Sequence, residues 1–427
     1  MADGRIVIIA LCGGADRPIG ALGGRTPFEA AATPHLDDVA RRGVSGLLEV
    51  IAPDVPPESD SGTMALLGYD PVRHYTGRGP LEGLGMGFWS AGGTPVAFRI
   101  NFASWNPQTG QLDRRTSRDL TDADLAVLVA EIVADVRLGD GVRFELTGFG
   151  RHRGILAFSS SGLPLSGRVS NTDPGFSNVG AFGIPVKTPE NHPLPSRALV
   201  DDPAAHRTAA VVNEFVAASA EVLQRSEVNR RRAAQGRRPA NLLLIRDGGD
   251  TLPTLAPFAG GSLRMYGQVP AERGLASLIG ADFVTARTGP GQTDVEFYAE
   301  LVPRLLADPS DVVFAHLKGP DEPGHDGQPE AKTAAIEEID EHVVGPLVAG
   351  LGAADTLVVT CDHATPCELG IHSPDRVPTV VAGPGVPVDD VVSFGERDAR
   401  RGGLPARRAS ELMPWLTAAR AADLRVG

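Results

Sequence analysis

Short apolar runs recur along the chain, each followed at once by a loop of Gly, Pro and Asp. RIVIIALCGGADRP, residues 5–18, sets the pattern: Ile6 to Leu11 are apolar without a break, and the backbone then turns at Cys12-Gly13-Gly14. Such a run predicts a fully buried strand that delivers Cys12 to the edge of a sheet, with glycines allowing a turn and the close approach of a ligand. SGLLEVI before APDVPPESDSG, ANLLLI before RDGGD, DVVFAHL before KGPDEPGHDG, DTLVVT before CDHATP and VPTVVA before GPGV repeat it. Helical patterns lie between them, as in EAKTAAIEEIDEHVVGPLVAGL, where Ile336, Ile339 and Val343 share one face. Buried strands alternating with helices predict an α/β core with a mainly parallel sheet flanked by helices.

The middle of the chain reads differently. From about Trp105 to Asp282 polar residues thicken, and arginines cluster in LDRRTSRD, GRHRG and NRRRAAQGRRPAN. The strand patterns there, GVRFELTGF and RGILAFS, are shorter and more alternating. We expect an inserted α+β cap domain over 105–282, within a discontinuous core of 1–104 and 283–427 that resumes near DVVFAHL. The basic run Arg230–Arg238 reads as a solvated helix end and loop. A chain of 427 residues is too long for one hydrophobic core, which agrees with two domains.

Charge and cysteine content narrow the chemistry. Forty basic residues stand against 53 acidic ones, a net charge of −13. General nucleic-acid binding is therefore disfavoured, and an anionic substrate must find its positive charge locally, in metal ions, arginines or helix N-termini. Cys12, Cys361 and Cys367 are too few for a disulfide framework and lack the spacing of a structural zinc site. Cys361 and Cys367 read as packing residues. The chain has no apolar run of membrane-spanning length and no opening signal pattern, so a cytoplasmic location without membrane or nucleic-acid partners is expected.

The chemistry gathers in two loops. In HLKGPDEPGHDG, Asp321 and His325 stand four apart after a strand, separated by Pro323 and Gly324, a spacing that lets carboxylate and imidazole converge on one divalent cation. In TCDHATPCELGIHS, Asp362 and His363 are adjacent at a strand end and His372 follows nine residues later. Adjacent side chains point apart, which suits two neighbouring ions better than one. Both clusters follow the carboxyl ends of core strands, where ligands bind in open α/β sheets. Lys318, three residues before Asp321, reaches the same pocket as a point charge. In PPESDSGTMALLGYDP, Ser59 lies just before a helix beginning near Ser61. It is either an N-cap or a nucleophile whose alkoxide a divalent cation stabilises, beside a helix N-terminus that favours the anion it attacks. Arg78, Arg114, Arg115, Arg118, Arg153 and Arg246 are of the type that forks onto phosphate and carboxylate oxygens, or else solvated surface residues.

GGRTPFEAAATPHLDDVARRGVSGLLEVI, ESDSGTMALLGYDP, YTGRGPLEGLGMG, AFRINFAS, NTDPG, HLKGPDEPGHDG and DHATP together resemble the archaeal-type, cofactor-independent phosphoglycerate mutases, a family of the alkaline phosphatase superfamily. The resemblance runs from Ile6 to about Val388. It implies an alkaline-phosphatase-like core with two divalent ions (zinc or manganese favoured, magnesium possible), no organic cofactor, and an inserted cap that closes against water. It also implies a serine transiently phosphorylated while the substrate fragment reorients. On this resemblance Ser59 is the nucleophile, and one ion is held by Asp321, His325 and His372. The other is held by Asp362, His363, Ser59 and a last position occupied by an aspartate in the family and by Cys12 here. The family's histidine four residues after the serine is Thr63 here.

Cys12 is open to three readings: a thiolate that binds a soft metal such as zinc, a neutral thiol whose ion arrives only with substrate, or a buried cysteine marking a decayed site. The resemblance implies metal-dependent phosphoryl transfer on a small phosphorylated carboxylic acid. The two departures leave open a transferase or hydrolase acting on another phosphorylated or phosphonylated metabolite in a biosynthetic pathway, or a non-catalytic binder of such a metabolite.

Overall fold

The structure is a computed structural model that describes residues 4–89, 95–114 and 116–423. The chain divides into two compact units, Met1–Tyr75 with Thr254–Gly427, and Thr76–Pro253.

The first unit is built on seven strands: β1 (Ile6–Leu11), β2 (Val44–Leu48), β10 (Leu263–Gly267), β11 (Asp282–Thr285), β12 (Val312–Leu317), β13 (Thr356–Thr360) and β14 (Val377–Ala382). Their order is β11-β10-β12-β1-β13-β14-β2. The first five are parallel, and β14 runs antiparallel to both its neighbours. All six residues of β1 and of β12 are buried, the unbroken apolar pattern of strands covered on both faces. The helical pattern after β12 forms as Pro329–Ile339 followed by one wider turn, with Ile336, Ile339 and Val343 fully buried. Because β12, β1 and β13 are parallel neighbours, the loops leaving their carboxyl ends emerge side by side. Lys318, Cys12 and Asp362 are thereby brought together from three distant parts of the sequence.

The second unit carries an antiparallel sheet of β3 (Val96–Asn106), β4 (Gln111–Asp113), β5 (Val142–Phe149), β6 (Arg153–Ser160) and β9 (Leu242–Gly249), ordered β4-β3-β6-β5 with β9 also paired to β3. A separate hairpin joins β7 (Phe176–Val179) and β8 (Phe182–Pro185). Helices Asp122–Asp135 and Pro203–Arg225 contribute Leu128, Ile132, Val212 and Phe215 to a core with Phe98 and Phe158.

These limits differ from the expected 105 and 282 by about thirty residues at each end. Val96–Asn106 reads as a core strand, and eight of its eleven positions are buried, yet its partners are β6 and β9. The core resumes well before DVVFAHL, at β10 and β11, which are too short to stand out from a polar context. The basic run forms the solvated helix end and loop expected, over Glu227–Ala234 and beyond, except that Arg232 is buried against Asp119; the exposed Arg231 and Arg238 pair with Asp124 and Asp113. Among the described residues, no helix is long and apolar enough to cross a membrane.

Candidate metal centre and active site

Gly13 fixes the geometry at the end of β1. Its φ is +60°, and a Cβ there would lie 2.5 Å from both Asp321 Oδ1 and Thr365 Oγ1. With no side chain in the way, its N–H reaches Asp362 Oδ1 at 3.0 Å. Ser59 opens the helix Ser59–Leu66 as its first helical residue, with Glu58 at the N-cap. Ser59 is thus not the cap itself, and the helix begins two residues earlier than expected. Gly62, one turn on, lets the helix press against Asp362, whose carbonyl a Cβ would meet at 2.3 Å.

Around Ser59 Oγ stand Lys318 Nζ at 2.8 Å, His363 Nε2 at 3.4 Å and Cys12 Sγ at 3.5 Å. Lys318 Nζ also lies 2.9 Å from Cys12 Sγ. Asp321, His325 and His372 bring one oxygen and two nitrogens within 4.8 Å of one another, as do Cys12, Asp321 and His363, and Cys12, His316 and Asp362. The structure therefore gathers Cys12, Ser59, Lys318, Asp321, His325, Asp362, His363 and His372 in one place.

The histidines show how well this place suits cations. His325 Nδ1 donates to Gly370 O at 2.9 Å and His372 Nδ1 to Pro57 O at 2.8 Å, since a carbonyl only accepts. Thr365 Oγ1 donates to Asp321 Oδ1, so it accepts from His363 Nδ1 at 3.1 Å. His316 Nδ1 is held by the Glu272 carboxylate. In all four rings the other nitrogen, Nε2, is left facing the centre, the arrangement by which metal-binding histidines are oriented.

Charges are strongly perturbed here. Burial opposes ionisation of Asp321, but His325, His372 and His363 outweigh it and hold its carboxyl well below the usual range. Burial, reinforced by Asp362, pushes the Cys12 thiol up, and Lys318 only partly offsets this. Burial lowers Lys318, but the carboxylates of Asp362, Glu272 and Asp321 outweigh it, raise it above its ordinary value and keep it an ammonium. Burial brings His363 down to about 3 despite Asp362. His316 is opposed by burial and by Lys318, but Asp362, Cys12 and Glu272 raise it well above its ordinary value. Burial and the Asp362 carboxylate thus favour the thiol form of Cys12, with the Lys318 ammonium 2.9 Å from its sulfur.

The expected arginines are found in the second unit, with Arg115 outside the described residues. Arg78 Nε bonds Glu82 Oε1 at 2.9 Å, and Arg99 pairs with the same oxygen. Arg246 stacks 3.8 Å from the Phe176 ring centroid, Arg114 stacks on the same ring at 5.5 Å, and Arg114 also forks onto Asp173. Burial, with Arg78, Arg246 and Arg153 nearby, lowers Arg99 to about 9 against the pull of Glu82. His152 is pushed down to about 2 by burial and by Arg153, Arg99 and Arg118, so its ring is neutral. Arg99, His316, Glu272 and Thr365 went unassigned in the sequence. Two of them carry a signal there, since Arg99 and His316 are charged or polar residues inside apolar strand runs.

An α/β sheet with serine, lysine and three donor clusters at its carboxyl end defines a divalent-metal enzyme. The sequence profile of the family described as 2,3-bisphosphoglycerate-independent phosphoglycerate mutase matches residues 40–229. Phosphoglycerate mutases of that name from Aeropyrum pernix and Methanopyrus kandleri are 36% and 39% identical, over 88% and 93% of this chain and 90% and 92% of theirs. A solved protein from Pyrococcus horikoshii superposes with a TM-score of 0.76 at 29% identity, covering 99% of this chain and 98% of its own. A cofactor-independent phosphoglycerate mutase from Thermoplasma acidophilum gives 0.59 at 28%, covering 98% and 100%. This chain belongs to the 2,3-bisphosphoglycerate-independent phosphoglycerate mutase family.

Proposed function

We propose that this protein transfers a phosphoryl group between oxygens of a small phosphorylated carboxylic acid through a covalent intermediate on Ser59. The reading is carried by the surroundings of Ser59 Oγ, which lies at the start of a helix and 2.8 Å from the Lys318 ammonium. The Ser59 O–P bond forms as the ester P–O bond of the substrate breaks, and the serine proton ends on the departing oxygen. Lys318 Nζ holds positive charge where that serine oxygen becomes anionic, and the helix N-terminus at Ser59 favours the phosphoryl oxygens. Asp321, His325 and His372 would hold one divalent ion, and Cys12, Asp362 and His363 donors of a second. Zinc or manganese is favoured over magnesium by the nitrogen and sulfur present. Such ions, when bound, neutralise the phosphoryl oxygens and stabilise the serine alkoxide. Within the second unit, Arg78, Arg99, Arg114 and Arg246 are cations of the type that fork onto phosphate and carboxylate oxygens.

A second reading is favoured by Cys12 and Thr63. Thr63 is fully buried, and its Oγ1 has no hydrogen-bond partner among the described residues. Two departures from the family pattern beside the nucleophile point to a related phosphorylated or phosphonylated acid as the native substrate, with the Ser59 step retained. Incubation with 3-phosphoglycerate under zinc, manganese and magnesium, followed by mass spectrometry of the Ser59 peptide, tests both. A phosphorylated peptide with 2-phosphoglycerate formed supports the mutase, whereas a phosphorylated peptide without isomerisation supports the second reading. No modification with any metal or with related phospho- and phosphono-acids sinks both.

A further inference from the structure

The helix Asp122–Asp135 is apolar on both sides. Leu125, Leu128 and Ile132 are buried in the core of the second unit. The opposite face of such a helix is ordinarily charged. Here, between Asp122 and Asp135 at its two ends, every exposed position is apolar: Ala123, Ala126, Val127, Ala130, Val133 and Ala134. Val127 and Val133 are 45% and 47% exposed. One flank of the helix is taken, since Asp124 pairs with Arg231. With 3.6 residues per turn, Ala126 and Val133 lie on the other flank. Asp122 on that flank accepts the Arg151 N–H at 3.3 Å, from the turn that joins β5 to β6. Leu125 rests over Gly148 of β5, where a Cβ would meet its side chain at 2.7 Å. Among the described residues β5 pairs only with β6, in a register unbroken from Val142 to Phe149. An edge of eight residues with neither bulge nor proline is a template for another strand. Its exposed Arg143 and Glu145 have no ion-pair partner among the described residues.

We propose that this helix flank and strand edge form a two-fold homodimer interface, occupied by a second copy of this chain. Antiparallel pairing of two β5 strands about Phe144 sets Arg143 opposite Glu145 of the partner subunit, and the symmetry makes that ion pair twice. The same axis serves the helix. Helix and strand run in opposite directions, because a short loop joins the end of one to the start of the other. From Gly148 back to Phe144 is about 13 Å along a strand. A helix covers that distance in about nine residues, which carries the axis from Leu125 to the neighbourhood of Val133 and Ala134. Strands pair about 4.8 Å apart whereas helices pack at about 8–10 Å, so helices riding on two paired edges crowd each other. Ala126, Ala130 and Ala134 permit that approach. A foreign strand would meet the edge alone, whereas a second copy meets edge, charges and helix flank at once. The interface belongs to the second unit and is independent of the chemistry proposed for Ser59.

Sedimentation equilibrium of the full wild-type chain tests it, with a dimer expected at micromolar concentration. Val133→Glu, at an exposed position, should raise the dimer dissociation constant at least about tenfold. Arg143→Glu sets like charges opposite each other and should weaken the dimer as well, and adding Glu145→Arg should restore it. Hydrogen exchange of the β5 amides should slow as protein concentration rises through the dissociation constant, with the strands of the first unit unchanged. A wild-type chain that stays monomeric up to about 100 μM overturns the proposal. So does a dimer that Val133→Glu and Arg143→Glu both leave intact, since its interface lies elsewhere. The exchange pattern of the wild-type protein decides if a variant fails to fold: no concentration dependence at β5 overturns the assignment.

Discussion

The core unit and the second unit both concentrate charge in buried places, and they hold it by different means. Near Ser59 the candidate donors are short side chains, and each imidazole is tied through its second nitrogen to a carbonyl, a hydroxyl or a carboxylate. In the second unit the charge rides on long guanidinium stems, balanced by Glu82, Asp173 and Asp247 and stacked on Phe176. Short, doubly held donors suit a task in which atoms must stay within tenths of an ångström. Forked cations over an aromatic ring suit recognition of planar or tetrahedral anions, where several orientations must be accommodated. If the proposed roles hold, substitutions in the two units should change different kinetic constants.

The sharpest test removes the nucleophile. Ser59→Ala should lower turnover by at least about 10⁴-fold and abolish the phosphorylated peptide, with folding unchanged. Near-wild-type turnover would break the assignment of chemistry to the core. Lys318→Met should cost about 10²–10³-fold in kcat, the scale of losing one oxyanion donor, with little change in KM. A change confined to KM would move Lys318 into the class of the arginines. Arg99→Lys keeps the charge and loses the fork, so KM should rise about tenfold while kcat holds. A kcat loss at constant KM would erase the distinction between the units.

A smaller effect concerns stability rather than turnover. Burial raises Glu396 to about 7 from its ordinary 4.5, although Thr26 and the Asp16 N–H hydrogen-bond to it. The folded chain then binds this proton more tightly than the unfolded chain. Between pH 4.5 and 7 the folded state holds the extra proton, so stability falls as pH rises through that window. Glu396→Gln should remove up to about 3 kcal/mol of that fall. Denaturant unfolding of both proteins at pH 5 and pH 8 measures it, and an unaltered difference between the two pH values would refute it.

The apolar runs were legible because strands buried on both faces leave no polar positions to blur them. Asp321, His325, Asp362 and His363 stood out as candidates because they follow such runs within a few residues, whereas Ser59 and His372 lie about ten residues beyond theirs and were assigned only through the family resemblance or the neighbouring cluster. What escaped depends on lateral order in the sheet. Glu272 precedes His316 by more than forty residues and meets it only because β10 and β12 pair in parallel. In sequence, Glu272 is an acidic residue in the first turn of Pro270–Ile279, a role complete in itself. The domain limits escaped for a similar reason. Val96–Asn106 has the composition of a central strand in either unit, and only its partners assign it.

Lys332 is wholly enclosed, and its ammonium spends all three protons on Asp16 Oδ2, Ala15 O and Thr365 O, at 2.8, 3.0 and 2.9 Å. Those acceptors belong to the segments that leave β1 and β13, the same two segments that carry Cys12 and His363. A single cation, placed away from the donor clusters, thus locks both segments together before any ion arrives. The ordering entropy of metal capture is settled during folding, so depleting the metal should empty a standing cage rather than melt a loop. Refilling should then be as quick as ion entry permits, with no search through loop conformations.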